Sequence, residues 1–224
     1  MLTLYQFDAC PFCWKVKALL NYTQQQYNIV EVSPMGMKEI DFIDHKKVPV
    51  LTDDDEVITE SASIIEYVNE HYSKLPKGEG ATKWMQWIDN ILVHYLPPLI
   101  HPNFSTSLRN FKIITEQSKI GFFKRSIVQV MGAIFMPKVS HKIMKKHSIV
   151  NPEKEFLQAI DNWVSSGLSD KNFFGGDKAD FIDCSVFGIL HSSHSLGPIA
   201  LAKENNQKFS DWYNRCIPLM TKKI

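Results

Sequence analysis

Cys10-Pro11-Phe12-Cys13 stands between an alternating apolar run at residues 2–6 and a run of helical period at residues 15–22. That order reads as strand, turn and helix. Pro11 suits the first helical position, where no N–H is needed, so Cys10 precedes the helix and Cys13 falls in its first turn. A thiol at a helix N-terminus faces unpaired N–H groups and the positive end of the helix dipole, and both favour the thiolate. Such placement brings a cysteine pKa from about 8.5 down to between about 3.5 and 7.5. Two units correspond to about 2.7 kcal/mol. Cys10 is expected to be the exposed attacker and Cys13 to reach back and resolve a mixed disulfide. Two cysteines three apart can also be half of a zinc site, but Cys184 and Cys216 are single and distant, so no metal is expected.

Outward from the motif, strand and helix signals alternate. The β-branched run at 28–32 reads as a second strand and 37–43 as a short helix. Two short strands at 50–52 and 56–58 flank the acidic turn Asp53-Asp54-Asp55, and 61–72 is a helix with Ile65, Val68 and Tyr72 on one stripe. The order predicts a small α/β layer with helices on both faces. Residues 73–80, with Pro76, Gly78 and Gly80, break periodicity as a linker. Beyond them every periodic segment is helical. Trp84, Trp87, Ile88, Ile91 and Tyr95 recur at helical spacing until Pro97-Pro98 is expected to stop the run. Asn151-Pro152-Glu153 opens a helix whose stripe is Phe156, Ile160, Trp163 and Val164, ended by Gly167, and Asp180 with Asp183 resembles a capping box ahead of the apolar run through Leu190. Two domains follow, residues 1–75 and residues 81–224.

The 224 residues suffice for two modest cores, and four cysteines are too few for a disulfide framework, so a reducing compartment and a cytoplasmic location are expected. The first strand leaves no room for a signal peptide before it, and no apolar stretch approaches the roughly 20 residues of a membrane span. A net charge of +1 argues against a nucleic-acid partner and against a strongly membrane-attracted surface overall, which leaves local patches to be read. One local imbalance stands out. Residues 117–152 hold no acid but carry Lys119, Lys124, Arg125, Lys138, Lys142, Lys145 and Lys146. A peripheral contact with an anionic surface such as a membrane is one reading; a buried helix with a solvated basic end is the preferred one. His191 and His194 lack a third ligand and are expected at the surface or at a helix end. His94 and His101 are expected to be structural, and Trp84 and Trp87 to be core.

Further stretches join the cysteine motif: Leu4-Tyr5-Gln6, Lys47-Val48-Pro49-Val50-Leu51, residues 61–64, Lys83-Trp84 with Gln86-Trp87, Leu92-Val93-His94, Gly175-Gly176 and Asp183. With them the chain resembles the glutathione S-transferase superfamily, and within it the membrane-associated prostaglandin E synthase type-two group, whose N-terminal domain is glutaredoxin-like. The resemblance implies an α/β thioredoxin-like N-terminal domain plus an all-α C-terminal domain, with glutathione as substrate or cofactor. It implies a cis Pro49, with Val48 offering its N–H and C=O to the cysteinyl part of glutathione as an added strand would. Phe12 would help to shape the groove. Glu60-Ser61 would receive the γ-glutamyl end, the helix N-terminus facing its carboxylate and Glu60 its ammonium. From the residues alone, Ser61 is equally a plain N-cap and Pro49 equally a strand-opening proline. Phe7 stands where related sequences often carry lysine or tyrosine, and Asp8 would oppose a Cys10 thiolate if it faced it, with Lys15 and Lys17 as partial offsets.

The expected function is glutathione-dependent thiol transfer, with Cys10 as nucleophile and Cys13 as resolving thiol. The substrate would be a small thiol, an electrophile or a lipid peroxide. One alternative, from the resemblance, is isomerisation of an endoperoxide such as prostaglandin H2 to E2. Another is a non-catalytic glutathione- or ligand-binding protein, against which the presence of both cysteines argues. Haem bound together with glutathione, and a homodimer, are implied by the resemblance only.

Overall fold

The structure is a computed structural model that describes residues 1–34, 36–116 and 122–221. Its sheet has the order β2-β1-β3-β4, made of β1 (Leu2–Gln6), β2 (Tyr27–Glu31), β3 (Val50–Asp53) and β4 (Glu56–Thr59). β1 and β2 are parallel and joined through α1 (Pro11–Tyr22), whereas β3 runs antiparallel to β1 and forms a hairpin with β4. Leu2, Leu4 and Gln6 are buried, as the period-two pattern requires, beneath the face on which α1 and α2 (Ser61–Val68) pack together. Burying side chains such as Leu4, Leu19, Leu20 and Leu51 contributes roughly 1.5–3 kcal/mol each.

The opposite face of the sheet corrects the expectation of a helix at 37–43. Only a single 3-10 turn forms there, Lys38–Ile40, after a left-handed Met37 with φ 47°. Met37, Ile40 and Ile43 recur every three residues, the period of a 3-10 turn rather than of an α-helix. Ile40 packs with Val32 and Val50, flanked by Tyr5 and Val48, and this small cluster covers the second face.

The described chain divides into two compact units. The first comprises Met1–Met85, Leu168–Ser192 and the chain from Asp211. In it α8 (Phe181–His191) packs along α1, and the C-terminal stretch of α10 (Gln207–Met220) buries Trp212, Tyr213, Cys216 and Met220. The capping box at Asp180 and Asp183 is present: the Asp180 carboxylate accepts from Ile182 N at 2.7 Å and Asp183 N at 3.2 Å, and Asp183 accepts from Asp180 N at 3.0 Å. Cys184 and Cys216 are buried free thiols. His191 ends a helix, as expected, but it is not at the surface. Its ring stacks on Phe187 at 4.7 Å and meets Trp14 edge-on at 4.6 Å, and its Nδ1 lies 2.6 Å from the Tyr213 hydroxyl. An imidazole carries both an apolar face and a polar edge, so it can close such a helix end from within.

The second unit comprises Gln86–Gly167 and Ser193–Ser210. Pro97-Pro98 does not stop the helix there. α3 (Ala81–Trp87) continues through a wide turn, Ile88–Leu92, into α4 (Val93–Ile100). The wide turn shifts the hydrogen-bond register just upstream of the prolines, and the Pro97 carbonyl is taken up by His101 N and Ser140 Oγ, both at 2.8 Å. Trp87 stacks on the fully buried Trp163, which follows α7 (Pro152–Asn162), and that helix runs on through a wide turn to Leu168. His94 stacks on His147 at 3.7 Å, and the buried His101 stacks on Phe111 at 4.9 Å. α9 (Gly197–Asn205) completes the unit.

Residues 117–121 of the basic segment lie outside the described residues. Beyond them α6 (Phe122–His147) forms an antiparallel pair with α5 (Phe104–Glu116). The preferred expectation of a buried apolar run is overturned: Ala133 and Ser140 are buried, while Ile127, Val130, Met131, Ile134, Phe135 and Val139 are exposed. Among the described residues no helix is long and apolar enough to cross a membrane.

Candidate active site at the N-terminus of helix α1

Cys10 is the N-cap residue of α1, in extended backbone geometry (φ −85°, ψ 121°), with Pro11 in the first turn as the sequence predicts. Its N–H donates to Phe7 O at 2.9 Å, and its carbonyl accepts the first helical bond from Trp14 N at 3.1 Å. Cys10 is half-buried and Cys13 fully buried, and neither is in a disulfide. The Cys13 thiol donates to the Cys10 sulfur, as do the backbone N–H groups of Cys13 and Phe12, and together they hold the Cys10 pKa below its ordinary value despite burial. Cys13 moves the other way, well above its ordinary value, first through burial and then through its bond to, and charge repulsion from, Cys10. The two thiols are thus biased in opposite directions, Cys10 toward the thiolate and Cys13 toward the protonated thiol.

Asp8 does not act on Cys10 as a bare charge. Its carboxylate is 2.9 Å from the ammonium of Lys17, a buried lysine that also lies 3.8 Å from the centre of the Trp14 ring. Trp14 Nε1 donates to Asp8 O at 2.7 Å, and Asp8 N donates to Glu31 at 2.9 Å. Glu31 also accepts from Gln6 Nε2 at 3.0 Å, and burial raises its pKa. Trp14 and Glu31 are supporting residues that the sequence does not single out. The signal that could have found Trp14 is its position three residues before Lys17, on the same helical face.

Strand register sets the remaining expected residues. Tyr5 pairs with Val50 and Val50 with Thr59, so the end of β1, the start of β3 and the end of β4 lie at one end of the sheet. The chain leaving β1 there leads to Cys10, Pro49 enters β3 there, and Glu60 leaves β4 there. The Val48–Pro49 peptide is cis, and Val48 is half-buried against the small cluster on the second face. Glu60 caps α2 with φ 64° and ψ 124°, a left-handed φ uncommon for a residue other than glycine. Its carbonyl accepts from Ile64 N at 3.0 Å, and its exposed carboxylate is 3.4 Å from His45 Nε2. Ser61 is buried at the first helical position, and Phe12 is half-buried beside Cys10. No group of three or more metal-ligating side chains forms among the described residues.

Against this geometry the likenesses to known proteins are consistent. Residues 4–77 match the glutathione S-transferase N-terminal domain family. The chain is 28% identical over 263 residues to prostaglandin E synthase 2 of Danio rerio, covering 96% of this chain and 70% of that protein. It is 26% identical over 246 residues to prostaglandin E synthase 2 of Mus musculus, covering 87% of this chain and 64% of that protein. Among solved structures, human glutathione transferase theta-2, in complex with glutathione and an unknown ligand, superposes with a TM-score of 0.62 at 16% identity, covering 98% of this chain and 82% of that one. At that identity the likeness is one of fold.

Proposed function

We propose that the chain is a glutathione S-transferase superfamily member resembling prostaglandin E synthase 2, and that it carries out glutathione-dependent thiol transfer at Cys10. The observation that carries this is the opposed pair at the α1 N-cap, with the pKa of Cys10 lowered and that of Cys13 raised. A Cys10 thiolate attacks the glutathionyl sulfur of a mixed disulfide. The Cys10–glutathione bond forms, the substrate sulfur leaves with the electron pair, and it takes a proton from water. The Cys10 adduct then has two exits. The thiolate of a second glutathione attacks the glutathionyl sulfur, giving glutathione disulfide and free Cys10. Alternatively Cys13, losing its proton, attacks Cys10, closes an internal disulfide and releases glutathione.

In this proposal residues 1–75 bind glutathione and residues 81–224 form the helical domain. Val48 supplies the strand-like backbone pair beside Pro49, Phe12 lines the groove, Glu60 pairs with the γ-glutamyl ammonium, and Ser61 with the start of α2 meets its carboxylate. A reducing compartment suits the free thiols. A cysteine thiolate can hold haem iron, but the exchange uses both thiols, so no step passes through haem.

The similarity to the two synthases favours a second reaction at the same thiolate. Cys10 would attack one oxygen of a prostaglandin-type endoperoxide, forming an S–O bond as the O–O bond breaks to an alkoxide that is then protonated. Loss of the C–H proton beside the sulfur-bound oxygen would form the ketone and return the electron pair to Cys10. The test supplies the protein with glutathione and, separately, a small mixed disulfide and prostaglandin H2. Turnover of the disulfide supports thiol transfer, turnover of the endoperoxide alone supports isomerisation, and glutathione binding without either makes it a binding protein.

A further inference from the structure

We propose that the outward face of α6 docks on an anionic phospholipid surface. The helix is inverted with respect to its own unit. Its inward face is small and polar: Ala133 and Ser140 are fully buried, a Cβ at Gly132 would fall 2.4 Å from the Phe111 ring, Gln129 donates to Thr115 at 2.8 Å, and Ser140 donates to Pro97 O at 2.8 Å. These contacts, with Val128, Met136, Ile143 and Met144 half-buried, leave the other large apolar side chains of the described helix uncovered. Ile127, Val130, Met131, Ile134, Phe135 and Val139 therefore point outward at spacings of three and four, with Ile127 51% and Phe135 53% exposed. The same face continues toward the C-terminus as Lys138, Lys142, Lys145 and Lys146, all exposed, and Lys138 Nζ stands 6.0 Å from the centre of the Phe135 ring.

Charge selects the occupant. From Phe104 to His147 the sequence holds nine lysines and arginines against one acid, Glu116, in a chain whose net charge is +1. A second copy of this face would bring two strongly basic hairpins together, which like-charge repulsion disfavours. An anionic bilayer answers both halves of the stripe: the acyl boundary takes the apolar residues, and the headgroups take the lysines, whose stems lie along the boundary.

The test is flotation of the full chain with phosphatidylcholine vesicles containing about one third phosphatidylserine, and with pure phosphatidylcholine. Binding is expected to the anionic vesicles at low salt and to weaken at high salt as screening shortens. Each lysine is worth about fivefold in partition near an anionic leaflet, so K138E/K142E/K145E should lower binding at least tenfold. Ile134→Ser with Phe135→Ser should abolish whatever binding survives high salt. Because these residues are exposed, both variants should keep wild-type circular dichroism and thiol chemistry. The proposal is overturned if wild type fails to float, if it floats equally with neutral vesicles, or if both variants float like wild type. It is also overturned by a concentration-dependent dimer that Ile134→Ser with Phe135→Ser dissolves, since a second copy would then cover the face.

Discussion

Gly188 of α8 lies against the backbone of Trp14 in α1, so close that a Cβ at position 188 would fall 2.4 Å from the Trp14 carbonyl oxygen and 2.6 Å from Lys15 Cα. The helix that presents the cysteine pair is thereby braced by backbone-to-backbone contact, which no side chain can relax. Gly188→Ala should cost about 1–3 kcal/mol through overpacking, seen as a lower urea midpoint, and should slow Cys10 chemistry as α1 moves. An unchanged midpoint would show that the two helices can part at no cost.

Asp183 gathers four donors at the start of α8: Phe174 N at 3.0 Å, Gly175 N at 3.2 Å, Asp180 N at 3.0 Å and Trp212 Nε1 at 2.9 Å. Asp183→Ala strands these largely buried donors and should destabilise the protein by about 3–5 kcal/mol. Trp212→Phe, which removes one donor together with its proton, should cost far less. Equal losses in the two variants would assign the effect to packing instead.

The strand–turn–helix order around Cys10 is legible because each step has a local cause: alternation at residues 2–6, Pro11 at the helix start and a helical period after Cys13. The capping box is legible for the same reason, since Asp180 and Asp183 act within one turn. What escapes the sequence is decided between segments. Twelve residues from 126 to 137 look like core, yet the smallest of them make the contact, and only the partner helix reveals that. Lys17 is legible as an offset to Asp8, but that it pairs with the carboxylate directly, while Trp14 Nε1 holds the Asp8 carbonyl, is not. Glu60 carries a left-handed φ that nothing in its sequence announces.

Two groups of side chains should give opposite pH slopes to stability. Burial, then the charges of His147 and Lys146, pushes His94 down to about 4, and burial alone pushes His101 down to about 4. The folded state binds fewer protons there than the unfolded one, so their contribution is lost as pH falls from about 6.5 toward 4. Burial, then the charge of Asp183, pushes Asp180 up to about 7. The folded state holds a proton that the unfolded state has released, so that contribution is lost as pH rises from about 4 toward 7. His101→Phe should flatten the acid limb and Asp180→Asn the neutral limb, read from urea midpoints across this range. Either limb persisting unchanged in its variant would reassign it.

The largest cause of the lowered Cys10 pKa is the hydrogen bond from the Cys13 thiol. Cys13→Ala should therefore raise the pKa of Cys10 toward that of a free cysteine, while Cys13→Ser, which keeps a donor, should raise it less. Titration of thiolate absorbance in the two variants measures both. A Cys10 that titrates alike in wild type and Cys13→Ala would place the cause in the helix terminus alone.

The central claim, that Cys10 attacks and Cys13 resolves, is met most directly by a single turnover with a glutathionylated thiol, read by intact-protein and peptide mass spectrometry. The account predicts one glutathionyl group on Cys10 in Cys13→Ser, a Cys10–Cys13 disulfide in wild type and no adduct in Cys10→Ser. A glutathionyl group on Cys13 in Cys10→Ser, formed as fast as the adduct on Cys10, would contradict it.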